Sequence, residues 1–286
     1  MKTLRIAFST PLLLCLIAAT PVSAQVFFRM DFDAGSAPNA GWTATSTSAT
    51  HNRIHIPAGG PDGDDAYELV QRVTGASAPF FGGEFYWGWT GLIEPQNPAQ
   101  GARRYYRFRM RFSPNTNFRG LDTGGSPTTL INKVLLVGDG CGRSDCRVIL
   151  NYRGLDNFRQ AYLQLQIDGG ASPATTPAVN IGEWLTVQVE LISSSSSSSA
   201  NGGYKIWVNN NNYGSPTAQR TGIVLNPVNW RYVMLGSYVN NGLASNGVHT
   251  IRYSGFEAAT TFDAAYFRGP SSPATPTNLR IIPGGE

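Results

Sequence analysis

The chain has 286 residues, and only 14% of them are charged, while Gly, Asn, Ser, Thr and aromatic residues are plentiful. Many short strands joined by polar turns give that profile. Once Lys2 and Arg5 of the leader are set aside, 20 basic side chains face 18 acidic ones. Bulk charge therefore makes no case for nucleic acid, and local placement of arginine matters more.

Lys2 and Arg5 open the chain, Ile6 to Ala19 is mostly apolar, and Val22-Ser23-Ala24 presents small residues before Gln25. That is the pattern of a secretory signal over residues 1–24, too short and wrongly flanked for a membrane anchor. Cys15 follows Leu14, which does not fit a lipid-attachment site, and no later stretch is apolar enough to span a bilayer. The expectation is a secreted protein, extracellular or periplasmic, monomeric and without a membrane partner. The 262 residues that follow the leader fall within the range of one large β-domain.

Val26 to Phe32 reads as a first strand, Thr43 to Thr50 and Pro61 to Asp65 as loops, and Tyr67 to Val73 as a second strand. An aromatic patch follows from Phe80 to Trp89. Phe85 is assigned to the core, and Trp87 and Trp89 are left between core packing and sugar stacking. Arg104 to Phe112, RYYRFRMRF, then alternates strictly: Tyr106, Phe108, Met110 and Phe112 share one face, and Tyr105, Arg107, Arg109 and Arg111 the other. A row of guanidinium groups suits an extended acidic or hydroxyl-rich ligand, and equally suits the solvated outer face of a sheet.

Ser113 to Pro127 reads as a loop and Thr129 to Val137 as a strand on which Ile131, Lys133, Leu135 and Val137 share a face. Lys133 is then a lone cation at a groove edge, or one that snorkels to the surface. The mature chain's two cysteines, Cys141 and Cys146, lie in GDGCGRSDC. In an exported chain they read as a local disulfide, with no further ligands nearby for a metal.

Arg147 to Arg153 places Arg147, Ile149, Asn151 and Arg153 together. From Ala161 to Ile167, Tyr162, Gln164 and Gln166 oppose Leu163, Leu165 and Ile167. From Glu183 to Leu191, Trp184, Thr186, Gln188 and Glu190 oppose four aliphatic residues. Each strand is apolar on one side and polar on the other, as in an antiparallel sheet covering a core. Ser193 to Ser199 reads as a floppy solvent loop, Tyr204 to Asn209 as a strand, and Asn209 to Asn212 as a turn. Tyr232 to Val239, His249 to Glu257 and Phe262 to Phe267 finish the strands. No stretch of ten residues carries a helical period free of Gly or Pro. The fold class is all-β, an antiparallel β-sandwich of two sheets over residues 25–268, with a Pro-rich linker or tail over 269–286.

YYRFRMRFSPN, GEWLTVQVELI, NGGYKIWVNNN, LGSYVNNG and FDAAYF, in that order, resemble the concanavalin A-like jelly rolls of secreted bacterial proteins, and among them the polysaccharide-lyase-like ones. The resemblance implies a concave sheet forming a glycan groove, with polysaccharide as the partner. MLGSYVN, Met234 to Asn240, resembles the KxGxYxQ motif of alginate-type lyases, in which the tyrosine transfers the proton. Gly236 and Tyr238 match; Met234 stands for the lysine and Asn240 for the glutamine. The family's RxELR strand has only ELVQR, Glu68 to Arg72, as a poor counterpart, and its QIH triplet only Gln164-Leu165-Gln166. The resemblance makes Tyr238 the catalytic candidate for a lyase. Arg107, Arg109, Arg111, Lys133, Asn151, Tyr162, Gln164, Gln166 and Asn240 are the substrate-binding candidates. One cleft is expected to hold both Tyr238 and the arginine stripe.

The clustered carboxylates of a glycosidase are absent. Asp31 with Asp33, and Asp62, Asp64 and Asp65, admit a structural calcium ion or a plain solvated turn; no other cofactor is expected, and none of His51, His55 and His249 is expected to bind metal. The principal reading is a module that holds an acidic polysaccharide without cleaving it. A lyase acting by β-elimination and a structural surface protein are the alternatives.

Overall fold

Strands make up nearly all the regular structure in the computed structural model, which describes residues 26–30, 32, 42–45, 49–73, 85–114, 119–121, 127–129, 131–138, 148–154, 160–167, 173–228, 230–240, 242–243, 248–263 and 266. In chain order these are β1 (Val26–Met30), β2 (Trp42–Thr45), β3 (Ala49–Ile56), β4 (Ala66–Val73), β5 (Phe85–Leu92), β6 (Arg103–Phe112), β7 (Arg119–Leu121), β8 (Pro127–Thr129), β9 (Ile131–Val137) and β10 (Val148–Gly154). Then follow β11 (Gln160–Ile167), β12 (Ala174–Thr175), β13 (Val179–Asn180), β14 (Leu185–Ile192), β15 (Gly202–Val208), β16 (Ala218–Ile223), β17 (Tyr232–Asn240), β18 (Gly242–Leu243) and β19 (Val248–Ala259). Sheet I has the order β16-β15-β14-β6-β19-β4-β3, with β1 also paired to β19. Sheet II has the order β12-β11-β10-β9-β17-β5-β2, with β13 on β11, and β18-β7-β8 form a small third sheet. Neighbouring strands are antiparallel throughout.

The fold is thus all-β, two antiparallel sheets with one core between them. Sheet I contributes Tyr106, Phe108, Met110 and Phe112 from β6, and Leu185, Val187, Val189 and Leu191 from β14. Sheet II contributes Leu150, Tyr152, Leu163 and Leu165. The Phe112 and Tyr152 rings meet across the gap at 4.2 Å. Tyr204 on β15 reaches over to β11, where its hydroxyl donates to the Leu165 carbonyl at 2.9 Å and accepts from the Ala174 N–H at 2.9 Å. Each fully buried aromatic of this kind removes enough apolar surface to contribute about 1.5–3 kcal/mol. Trp89, open between two readings in the sequence, belongs to the core, stacked on Phe28 at 5.5 Å.

Two bulges decide which side chains face outward. In β19 the register slips between Ser254 and Phe256 around Gly255, whose φ of 65° is unstrained only for glycine. The extra residue keeps Phe256 in the core and turns Glu257 outward, opposite Arg107. Strict alternation from Tyr253 would point Glu257 inward. In β9 the register slips around Val134 against both β10 and β17. Ile131, Lys133, Leu135 and Val137 consequently do not share a face: Val134, Leu135 and Val137 join the core, while Lys133 pairs with Asn151 on the other side. Period-two reading fails there because a bulge adds one residue to one strand alone.

Other expectations are corrected by long-range pairing. Thr43 to Thr45 and Ala49 to Thr50 lie in β2 and β3 rather than a loop, the expected 113–127 loop contains β7, and β16 is a strand the sequence reading does not include. Phe262, Asp263 and Tyr266 are not a strand; they lie across the outer face of sheet I. The serine tract is anchored where it leaves β14. Ser193 and Ser194 are buried, Ser194 N–H donates to the Leu225 carbonyl at 2.8 Å, and Ser194 Oγ accepts from Leu225 N–H at 2.8 Å. Ser194→Ala should cost about 1–3 kcal/mol, since a buried N–H loses its acceptor. Ser197→Ala, at an exposed position, should leave the urea midpoint unchanged. Equal midpoints for the two variants would contradict the anchoring.

Candidate functional site

The arginine stripe does not floor an open trough. Arg107 is fully buried on the outer face of sheet I. Its Nε donates to Gln188 Oε1 at 3.1 Å, one Nη to Glu257 Oε2 at 3.0 Å and Asp263 Oδ2 at 3.2 Å, and the other Nη to the Thr261 carbonyl at 2.8 Å. Arg109 meets Asp62 at 2.9 Å and the Tyr266 carbonyl at 3.2 Å, and the Tyr266 ring lies 5.0 Å from its guanidinium carbon. The acidic loop read as a calcium site or solvated turn therefore caps an arginine. Burial pushes the Asp62 carboxyl up, Arg109 pulls it down, and neighbouring Asp64 raises it again. Asp65 instead holds His55 at 2.7 Å and the Ala58 N–H at 3.0 Å.

A second buried charge sits one row along. Glu190, fully buried, takes Arg103 at 2.8 Å, Lys205 at 3.3 Å and the Tyr105 hydroxyl at 2.5 Å. Burial, then the Glu190 hydrogen bond and charge, push the Tyr105 phenol up, so it stays a neutral donor. Tyr213 and Phe262 close over Trp207 beside this cluster, with centroids 5.7 and 4.9 Å from it.

The tyrosine of the family-like motif lies on the opposite sheet. Tyr238 is in β17 of sheet II and the stripe is in β6 of sheet I, so the single cleft expected for both is overturned. Phe108 and Met110 of β6 and Val233 and Leu235 of β17 enter the same core from its two sides, so the two strands lie across the core from each other. Alternation within a strand cannot show this.

Sheet II does bring other candidates together. Tyr238 pairs with Lys133, Lys133 with Asn151, and Asn151 with Gln164, which makes one transverse row across four strands. The adjacent rows hold Asn240 opposite Ile131, Tyr162 opposite Arg153, and Gln166 opposite Ile149. Asn151 is only 2% exposed although it faces away from the core; its Nδ2 donates to Gln166 Oε1 at 3.2 Å. Its Oδ1 is buried and accepts no hydrogen bond among the described residues. Such an acceptor costs about 1–3 kcal/mol until a donor reaches it. Arg153 also stands in this group; sequence reading saw it on the Asn151 side of β10 and did not select it. The side chains of Tyr238 and Asn240, residues Cys141 and Cys146, the aspartates 31 and 33, and the tail over 269–286 lie outside what the structure describes. Among the described residues no group of three His, Cys, Asp or Glu could hold a metal ion.

The sequence matches no protein-family model and no curated protein. Among solved structures, the chain is similar to the alginate lyase vAL-1 from Chlorella virus, at 9% identity and a TM-score of 0.45, covering 83% of this chain and 100% of that one. Alginate lyase A1-II′, a member of polysaccharide lyase family 7, aligns at 13% identity and a TM-score of 0.41, covering 76% and 85%. The binding domain of botulinum neurotoxin DC, solved with rat synaptotagmin II, aligns at 8% identity and a TM-score of 0.45, covering 85% of this chain and 50% of that one. Identity is very low in each of these alignments.

Proposed function

We propose that the outer face of sheet II holds a uronate-containing polysaccharide, and that β-elimination at the Tyr238 row is its reaction. The carrying observation is the register Tyr238–Lys133–Asn151–Gln164. A lyase must remove the proton beside a carboxylate and return one to the leaving oxygen. Tyr238 takes that proton as phenolate. The freed electron pair forms the carbon–carbon double bond, the glycosidic C–O bond breaks, and the phenol hands its proton to the departing oxygen. An ordinary phenol ionises near pH ~10, so a cation in the adjacent register position favours the reactive form. Lys133 supplies it, where Met234 has taken the place of the motif's lysine. Asn151 and Lys133 also balance the substrate carboxylate as negative charge builds on it. Tyr162, Gln164 and Gln166 provide hydroxyl and amide partners for sugar hydroxyls along the face.

Binding without cleavage is the second reading, favoured by the replacement of the motif's glutamine with Asn240. The mature protein is incubated with alginate and glucuronan while the ultraviolet absorbance of unsaturated uronate is followed, and retention on an alginate gel is measured in parallel. Product should form, and Tyr238→Phe should lower its rate by at least ~10²-fold while gel retention persists. Lys133→Gln should weaken both. Retention without product from the wild type would leave the binding module, and neither product nor retention would leave a structural protein.

A further inference from the structure

We infer that the outer face of sheet I carries a separate site for an oxyanion, a carboxylate or sulfate group, at Arg111 and Arg252. These residues stand directly opposite each other on β6 and β19. Like charges in that position repel unless something negative lies between them. Arg252 is compensated: it meets Glu68 of β4 at 2.9 Å and donates to the Gly59 carbonyl at 3.4 Å. Arg111 is not. Arg107 and Arg109, on the same face of the same strand, each hold an acidic partner, whereas Arg111 makes no ion pair among the described residues and its buried Nε donates to nothing there.

Beside this donor lies a small pocket of about 60 Å³, walled by Glu68, Arg111, Ser113, Pro114 and Arg252. Its ionic groups leave one net positive charge. Its volume is several times the minimum for a single water. A planar guanidinium with Nε–H and Nη–H unspent matches the two oxygens of a carboxylate or two of a sulfate. The anion would complete the hydrogen bonding of Arg111 and separate it from Arg252. The site stands on its own geometry, on the opposite sheet from the Tyr238 row, and does not rest on the polysaccharide reading.

Calorimetric titration of the mature protein with inorganic sulfate and with sodium glucuronate, at ionic strength held constant with chloride, tests it. At least one anion should bind saturably, and which one binds identifies its source, free ion or sugar carboxylate. Arg111→Gln should weaken that binding at least tenfold. Glu68→Gln removes the competing carboxylate and should tighten it several-fold, and Ser197→Ala, at an exposed position away from both sites, should leave it unchanged. If neither anion saturates, or if Arg111→Gln binds like the wild type, the site does not exist. Should Arg111→Gln fail to fold by circular dichroism, Glu68→Gln decides: tighter binding supports the site, and unchanged or weaker binding overturns it.

Discussion

Arg107→Ala should destabilise the protein by about 3–5 kcal/mol, because it removes the buried cation that nearly buried Glu257 and partly exposed Asp263 share. Glu257 and Asp263 lie 3.0 and 3.2 Å from the guanidinium, and Gln188 Oε1 and the Thr261 carbonyl would lose their donor as well. Glu257 keeps one compensating contact, Arg29 at 2.8 Å, so the lower half of that range is the better guide. The double variant Arg107→Met with Glu257→Gln should recover much of the loss, since replacing a buried pair costs less than breaking one. Denaturant midpoints of the two variants give the comparison directly. The stripe as a ligand groove predicts the reverse pattern: little change in stability and a marked loss of polysaccharide retention. A cost below about 1 kcal/mol, the ordinary value for an exposed ion pair, would restore that picture.

Acidification should destabilise the fold through His249. It is fully buried against Phe112, ring centroids 5.2 Å apart, and burial lowers its pKa from 6.5 to about 3. Between those two values the unfolded chain binds a proton on this imidazole that the folded chain refuses. Stability therefore rises with pH across the window and falls as pH drops through it. One such group contributes a slope of about 1.4 kcal/mol per pH unit. Unfolding free energies measured from pH 6 to pH 4.5, inside that window, should rise with pH, and His249→Gln should lower the slope by close to one proton. An unchanged slope in that variant would show that His249 is protonated in the native state.

Much of this architecture is legible in single strands. The alternation of Leu163, Leu165 and Ile167 with Tyr162, Gln164 and Gln166 appears as written, buried and half-buried in turn. The same holds for the apolar sides of β6 and β14. What alternation cannot carry is the meaning of the polar side. Gln188 and Glu190 read as solvent-facing and are fully buried, because Tyr213 and the residues around Phe262 and Asp263 come back over them from far along the chain. Lys133 read as a cation among aliphatic neighbours until a bulge at Val134 separated it from them. The serine tract read as featureless, yet its first two members hold Leu225 and Ala102 through backbone hydrogen bonds.

The residues by themselves determine that this is an all-β chain with one oily and one polar side to most strands, because side-chain direction along a strand is set locally, every second residue. They also bring Tyr238, Lys133, Asn151 and Gln164 forward one at a time. Only the tertiary structure aligns these four in a single row and sends the arginine stripe to the far side of the core, where acids cover Arg107 and Arg109. Strand pairing joins positions scores of residues apart, and its partner choice depends on total burial and bulge placement, which no local period encodes.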